Sequence, residues 1–307
     1  TKSKYASDAN FNLNKEKTSY SLSFDWRDYT RTALNDYYRE LYNETNTHYA
    51  SMYQDRTITN ADLGFRFGLT HEFNKQNSLN YSFHTGYAST IGNILVKTSG
   101  YIIPESTEEH MYNTFYFNQK PKFFTNNIDY TKLLDDQGSS LSINAYYSYI
   151  DYYLFNGQVL SRTDENHNII DNEPYLLDVI NENNSNDFRL DGDYTKSLTD
   201  KTILETGLSF HLYDRFLDIT YAQFNYYEND WVNNPLYTNK YNFNENIYAA
   251  YFNGNSSFLG IKASMGLRVE YIYRILKRHE SNEKYEFDKL YFFPGFSFSK
   301  ELSESQS

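Results

Sequence analysis

Seven histidines are the first candidates for acid–base or metal chemistry, and they are scattered: His48, His71, His84, His110, His167, His211 and His279. Glu108-Glu109-His110 offers donors for a metal, but a solvated acidic loop is the simpler reading. Asp164-x-Asn166-x-Asn168 opens like a calcium loop. Ile169 then stands where that loop needs Gly, and Tyr175 where it needs Glu. Cysteine is absent, so no thiolate site exists. No Gly-rich phosphate loop, nucleophile elbow or zinc-protease spacing occurs. The expectation is a chain with no catalytic residues, metal or cofactor, and not an enzyme. Aromatic residues are more informative. Tyr37, Tyr38, Tyr42, Tyr49 and Tyr53 fall in one polar stretch, and Phe224, Tyr226, Tyr227, Trp231 and Tyr237 in another. Aromatic faces stack on sugar rings and bind peptides. Tyr227-Glu228-Asn229-Asp230-Trp231 adds polar groups that could orient a ligand. Tyr37, Tyr38, Tyr226, Tyr227 and Trp231 are therefore the candidate ligand-binding residues. Packing of loops against one another is the competing use of the same side chains.

What positions these residues is set by an unusual composition. The 307 residues include 33 Tyr, 23 Phe and 2 Trp, with 28 Lys+Arg against 40 Asp+Glu and a formal charge of −12. The chain is as polar on average as a disordered one, yet disordered chains are poor in aromatics. No apolar run is long enough for a membrane helix. An acidic chain without a basic cluster is not built for nucleic acid. The start, Thr1-Lys2-Ser3-Lys4, has no apolar signal-peptide core, and Thr1 suggests a processed or excerpted chain.

The dominant period is 2. Ile261, Ala263, Met265, Leu267, Val269, Tyr271 and Tyr273 alternate with Lys262, Ser264, Gly266, Arg268, Glu270 and Arg274, broken only by Ile272. Leu63, Phe65, Phe67 and Leu69 alternate with Asp62, Gly64, Arg66 and Gly68 in the same way. So do Tyr20, Leu22, Phe24 and Trp26 with Ser21, Ser23, Asp25 and Arg27. One apolar and one polar side per segment is the mark of a β-strand. About eleven strands are expected, near 5–14, 18–31, 57–73, 78–91, 119–134, 139–154, 186–198, 202–215, 243–253, 260–276 and 288–300.

Short polar turns are expected near 15–17, 74–77, 135–138, 199–201, 254–256 and 302–305, roughly 60 residues apart. Long polar connections are expected near 33–56, 92–117, 156–183, 216–240 and 279–286. Long alternating strands with loop length on one side only fit an all-β, antiparallel transmembrane β-barrel with short periplasmic turns and long extracellular loops. Closure satisfies every backbone hydrogen bond in lipid. A polar lumen explains the low hydropathy, and tyrosine suits the membrane interfaces. Tyr146, Tyr147, Tyr149, Tyr152 and Tyr153 crowd one strand end as a girdle would. The lumen wall would carry Asp62, Arg66, Glu72, Arg189, Asp191, Asp193, Glu205, Lys262, Arg268 and Glu270. An odd strand count, and an end at a turn, suggest that residues 1–307 are a partial barrel domain with further strands elsewhere.

The runs Glu245-Asn246-Ile247-Tyr248-Ala249-Ala250-Tyr251, Gly266-Leu267-Arg268-Val269-Glu270 and Tyr291-Phe292-Phe293-Pro294 stand out within residues 241–299. With them, that stretch resembles the outer-membrane β-barrel family of Bacteroidetes found in TonB-dependent receptors. Asp191-Gly192-Asp193-Tyr194, leading through Lys201 to Leu204 and Gly207, is similar to that family's hairpin, with Ser197-Leu198 in place of Pro-Leu. The resemblance implies the bacterial outer membrane, a lipid or lipopolysaccharide surround, and a full-length importer with a plug that takes energy from TonB. It involves no nucleic acid. The alternative function is a structural or partner-binding barrel: a component or substrate of the assembly machinery, or the partner of a lipoprotein.

Overall fold

The computed structural model describes residues 4–42, 47–103, 108–258 and 260–300. They form one antiparallel sheet of β1 (Lys4–Lys15), β2 (Thr18–Tyr42), β3 (Thr47–Asn74), β4 (Asn77–Ile103), β5 (Glu108–Leu133), β6 (Ser140–Thr163), β7 (Tyr175–Thr199), β8 (Thr202–Asn225), β9 (Asp230–Asn233), β10 (Asn239–Phe258), β11 (Ile261–Arg278) and β12 (Glu283–Lys300). The strands lie side by side in chain order, except that short β9 pairs only with the end of β8. Eleven long strands thus form the continuous path, as alternation predicts. Among the described residues β1 and β12 make no contact, so each leaves one edge unpaired.

The register carries the two-faced pattern across the whole sheet. From β1 to β12 one row of directly paired residues reads Leu13, Tyr20, Leu69, Tyr81, Ile128, Ala145, Leu190, Phe210, Tyr248, Tyr271 and Leu290. The adjacent row, on the opposite face, reads Asn14, Ser19, Thr70, Asn80, Asp129, Asn144, Asp191, Ser209, Ala249, Glu270 and Tyr291. A slip of one residue anywhere would exchange the faces of a strand.

No hydrophobic interior exists to hold such a sheet in water. Among the described residues only Leu177 and Ala249 are buried hydrophobics. On the apolar face Leu208 is 55% exposed and Met265 67% exposed. A face of this size requires an apolar surround, because soluble proteins rarely expose apolar patches beyond a few hundred Å².

Two expectations are corrected. The stretches read as long connections are mostly strand: β2 runs to Tyr42 and β3 starts at Thr47, while β4 runs to Ile103 and β5 starts at Glu108. Above Trp26 the apolar face itself becomes polar, at Asp28, Thr30 and Thr32, so alternation vanishes while backbone pairing continues. The turn placed at 254–256 is also displaced. Gly254, Asn255 and Ser256 pair with Met265, Ser264 and Ala263 inside the β10–β11 ladder. The turn lies between Phe258 and Ile261, where Gly260 takes a φ of +76° that L residues avoid. The expected turn at 302–305 lies outside the described residues.

Strand length separates two zones. β3 has 28 residues, about 90 Å at roughly 3.3 Å per residue. A bilayer needs strands of only about 9–11 residues. The apolar rows sit in the half next to the short turns, so the other half of each hairpin projects beyond any membrane.

Candidate functional site

The aromatic tip of the β8–β9 hairpin is built by backbone economy. Asn225 caps the turn: its side-chain oxygen accepts the amides of Tyr227 at 2.9 Å and Glu228 at 3.2 Å. Asn229, at φ +53°, reverses the chain into β9. The turn leaves Tyr227 97% exposed, with no packing to explain its ring. Tyr226 points the other way and donates its hydroxyl to the Pro174 carbonyl at 2.7 Å, which ties this tip to the β6–β7 connection. Below it, the Tyr175 and Tyr221 hydroxyls meet at 3.4 Å, and this contact and burial raise the Tyr221 pKa. The Tyr221 ring lies 5.0 Å from that of Tyr237. A groove of about 620 Å³ opens between Glu173, Gln223, Tyr226, Tyr227, Asn233 and Leu236. Ring faces, amides and one carboxylate therefore converge on one open groove.

The sequence-predicted residues divide. Tyr226 and Tyr227 line this groove. Trp231 does not; it lies in β9, opposite Phe224, and packs edge-on against that ring at 5.6 Å. Tyr37 and Tyr38 are not loop residues but neighbours in β2, so they point to opposite faces. Tyr37 reaches Gln54 with its hydroxyl at 3.4 Å, and Tyr38 lies 6.4 Å from the Tyr49 ring. Strands β4 to β7 separate that hairpin from β8 in the sheet, so the two aromatic groups form separate sites. Glu173, Gln223, Asn233 and Leu236 went unseen in the sequence. Asn233-Asn234-Pro235 was the usable signal, because such a turn folds its neighbours back towards β8.

The calcium-like run has another use. Asp164 accepts the amides of Asn166 at 2.9 Å and Asn168 at 2.8 Å, and the Asn168 side chain at 2.9 Å. The Asn168 bonds come first among the causes that hold its carboxyl below the usual range. The run is a turn that caps its own backbone. His110 sits across from it, 2.9 Å from the Ser99 hydroxyl and 3.6 Å from Glu108. Among the described residues no cluster of His, Asp and Glu could hold a metal. His48 lies in a part of β3 whose side chains are not described.

The polar face near the short turns is a wall of paired charges. Arg66 meets Asp25 at 3.0 Å. Asp187 holds Arg189 at 2.7 Å and His211 at 3.0 Å, with Arg189 over the Tyr146 ring. Tyr251 donates to Asp193 at 2.6 Å, Asn253 to Glu205 at 3.0 Å, and Arg268 pairs with Glu270 at 2.5 Å. Arg274 pairs with Glu245. The tyrosines expected as a girdle on β6 split by parity: Tyr146 and Tyr152 belong to this wall, Tyr147, Tyr149 and Tyr153 to the apolar side.

The family model described as the outer membrane protein beta-barrel family matches residues 132–307. The chain belongs to this family. It is a bacterial outer-membrane β-barrel protein. The crystal structure of the outer membrane protease OmpT from Escherichia coli is similar at 12% identity, over 92% of this chain and 94% of that one, with a TM-score of 0.28. The ferric enterobactin receptor PfeA is similar at 6% identity, over 98% of this chain and 74% of that one, with a TM-score of 0.14. Likenesses this weak carry nothing about activity. No curated protein matches the chain.

Membership in an outer-membrane barrel family gives each face its solvent. The apolar rows meet hydrocarbon and the charged wall faces the lumen. Among the described residues no helix is long and apolar enough to cross a membrane; the strands make the crossing. The long hairpin halves then stand on the extracellular side, since barrels of this kind keep their short turns in the periplasm. Polar side chains on the lipid side of the belt find partners at several positions, which lowers their cost in lipid. Asn126, for example, accepts the Tyr81 hydroxyl at 2.9 Å.

Proposed function

We propose that this barrel is part of a TonB-dependent importer and that the groove at the β8–β9 tip captures its ligand. Its role is binding and passage, with no catalytic chemistry. The observation that carries this reading is Tyr227, fully exposed beside a groove that also holds amides and the Glu173 carboxylate. An exposed, rigid ring costs little entropy to stack on a ligand, and the amides fix its orientation. The runs at 191–207, 245–251 and 266–270, which resemble TonB-dependent receptor barrels, support the energy coupling.

The test uses the natural full-length protein in its own cells. Uptake of labelled ferric chelates, oligosaccharides and peptides is compared in wild type, in a deletion of this gene, in a TonB deletion and in Tyr226→Phe/Tyr227→Ala. The expected result is one ligand class lost in both deletions. That ligand binds the double variant about tenfold more weakly, the loss of roughly 1.4 kcal/mol of contact. Uptake of every class unchanged by both deletions would overturn the reading.

A further inference from the structure

The outer, lipid-facing side of the belt has a recess that its own side chains do not fill. Across β3 to β6 one paired row reads Phe65, Thr85, Phe124 and Tyr149. Thr85 is the small member between large rings, and its hydroxyl is turned to the backbone, bonded to the Phe123 carbonyl at 2.8 Å. The result is a groove of about 460 Å³, apolar apart from its upper rim. A void on this face cannot stay empty in a bilayer, because its walls would forfeit their dispersion contacts. The volume lies within the ~300–1,000 Å³ usual for ligand sites.

The rim is charged. Lys122 borders the groove beside Tyr87, 4.0 Å from Asp151, and Lys120 lies two residues further up the same face of β5. Both lysines are exposed; Asp151 faces Lys122, and Lys120 has no carboxylate partner among the described residues. Trp26 and Tyr87 mark the same level as the membrane interface, where aromatic residues collect. Lysines at that height extend towards the head groups while their stems cover apolar surface. An acyl chain below and an anion above are the two parts of one molecule.

We propose that this groove seats one outer-leaflet lipid, an acyl chain against Thr85 and its phosphate at Lys122 and Lys120. The full-length protein, purified in detergent, is titrated with diphosphorylated lipid A and observed by native mass spectrometry. Dephosphorylated lipid A and phosphatidylcholine serve as controls. The expected result is a single adduct that survives removal of bulk lipid and requires the phosphates. Lys120→Gln/Lys122→Gln should weaken it by about tenfold, the worth of charge-assisted contacts to phosphate. Thr85→Leu should abolish the adduct by filling the recess, with gel mobility of the unheated protein confirming the fold. Equal binding of phosphorylated and dephosphorylated lipid would overturn the proposal. So would an adduct indifferent to all three substitutions. Dimers that disappear with Thr85→Leu would place a second copy in the groove and overturn it too.

Discussion

At the scale of single residues, polar side chains and glycines decide how closely strands pass. Gly207 is buried on the lumen wall beneath the Tyr251 ring. A Cβ there would lie 2.4 Å from a ring carbon of Tyr251, 2.6 Å from Asp193 and 2.9 Å from the Gly192 carbonyl. Gly207→Val should displace Tyr251 from Asp193 and cost about 1–3 kcal/mol, as overpacking does. Thermal unfolding in detergent measures it, and Tyr251→Ala in the same chain should recover part of the loss. Asp135 closes the β5–β6 turn. Bonds from the Ser139 hydroxyl and amide, then from Lys196 and the Gln137 amide, hold its carboxyl well below the usual range. A depressed carboxylate stabilises fully above its unfolded value of about 3.9 and loses that contribution as pH falls through the folded value. Asp135→Ala should therefore melt below wild type at neutral pH, and the gap should close in strong acid. These roles were hard to read in the sequence. Asp164-x-Asn166-x-Asn168 spells both a calcium loop and a self-capping turn, because both need carboxylate and amide oxygens near backbone amides.

At the scale of elements, period 2 was legible wherever the two faces meet different solvents. That holds for Tyr20–Trp26, Leu63–Leu69 and Ile261–Tyr271, and every one of those segments is strand. It failed where both faces meet water. Residues 33–42 and 47–56 pair in register as β2 and β3, yet neither face keeps an apolar series. Strand continuation there is set by cross-strand bonds, such as Asn35 to Gln54 at 3.2 Å, which no single segment announces. Tyr37 and Tyr38 were placed in a loop for that reason, while Tyr226 and Tyr227, read in a longer connection at 216–240, do lie in a turn, one that Asn225 and Asn229 close. Adjacent residues of β8 test the faces. Phe210→Arg puts a charge in the belt and should cost about 2–4 kcal/mol. His211→Arg enters the polar wall beside Asp187 and should cost far less. Equilibrium unfolding from bilayers in urea reads both.

At the scale of the whole molecule, the sheet is held by its ladders and by what surrounds it, and very little by an interior. Two buried hydrophobic residues among those described cannot drive collapse in water. Lipid on one face and a hydrated lumen on the other replace the core, which is why the composition looked disordered while the pattern did not. The edges of β1 and β12 add a requirement, since unpaired backbone groups in hydrocarbon cost several kcal/mol each. They must pair in the membrane, with each other or with further strands.

The two-solvent arrangement can be tested directly because the chain has no cysteine. Single cysteines are placed at 208 to 213 along β8 of the full-length protein, any cysteine outside residues 1–307 being replaced by serine, labelled with a small fluorophore, and reconstituted in bilayers. Quenching is then measured with a lipid-borne and a water-soluble quencher. The expected result is strict alternation: lipid quenching at Leu208, Phe210 and Leu212, aqueous quenching at Ser209, His211 and Tyr213. Uniform aqueous quenching, or lipid quenching without a period of two, would contradict the placement of this sheet in the membrane.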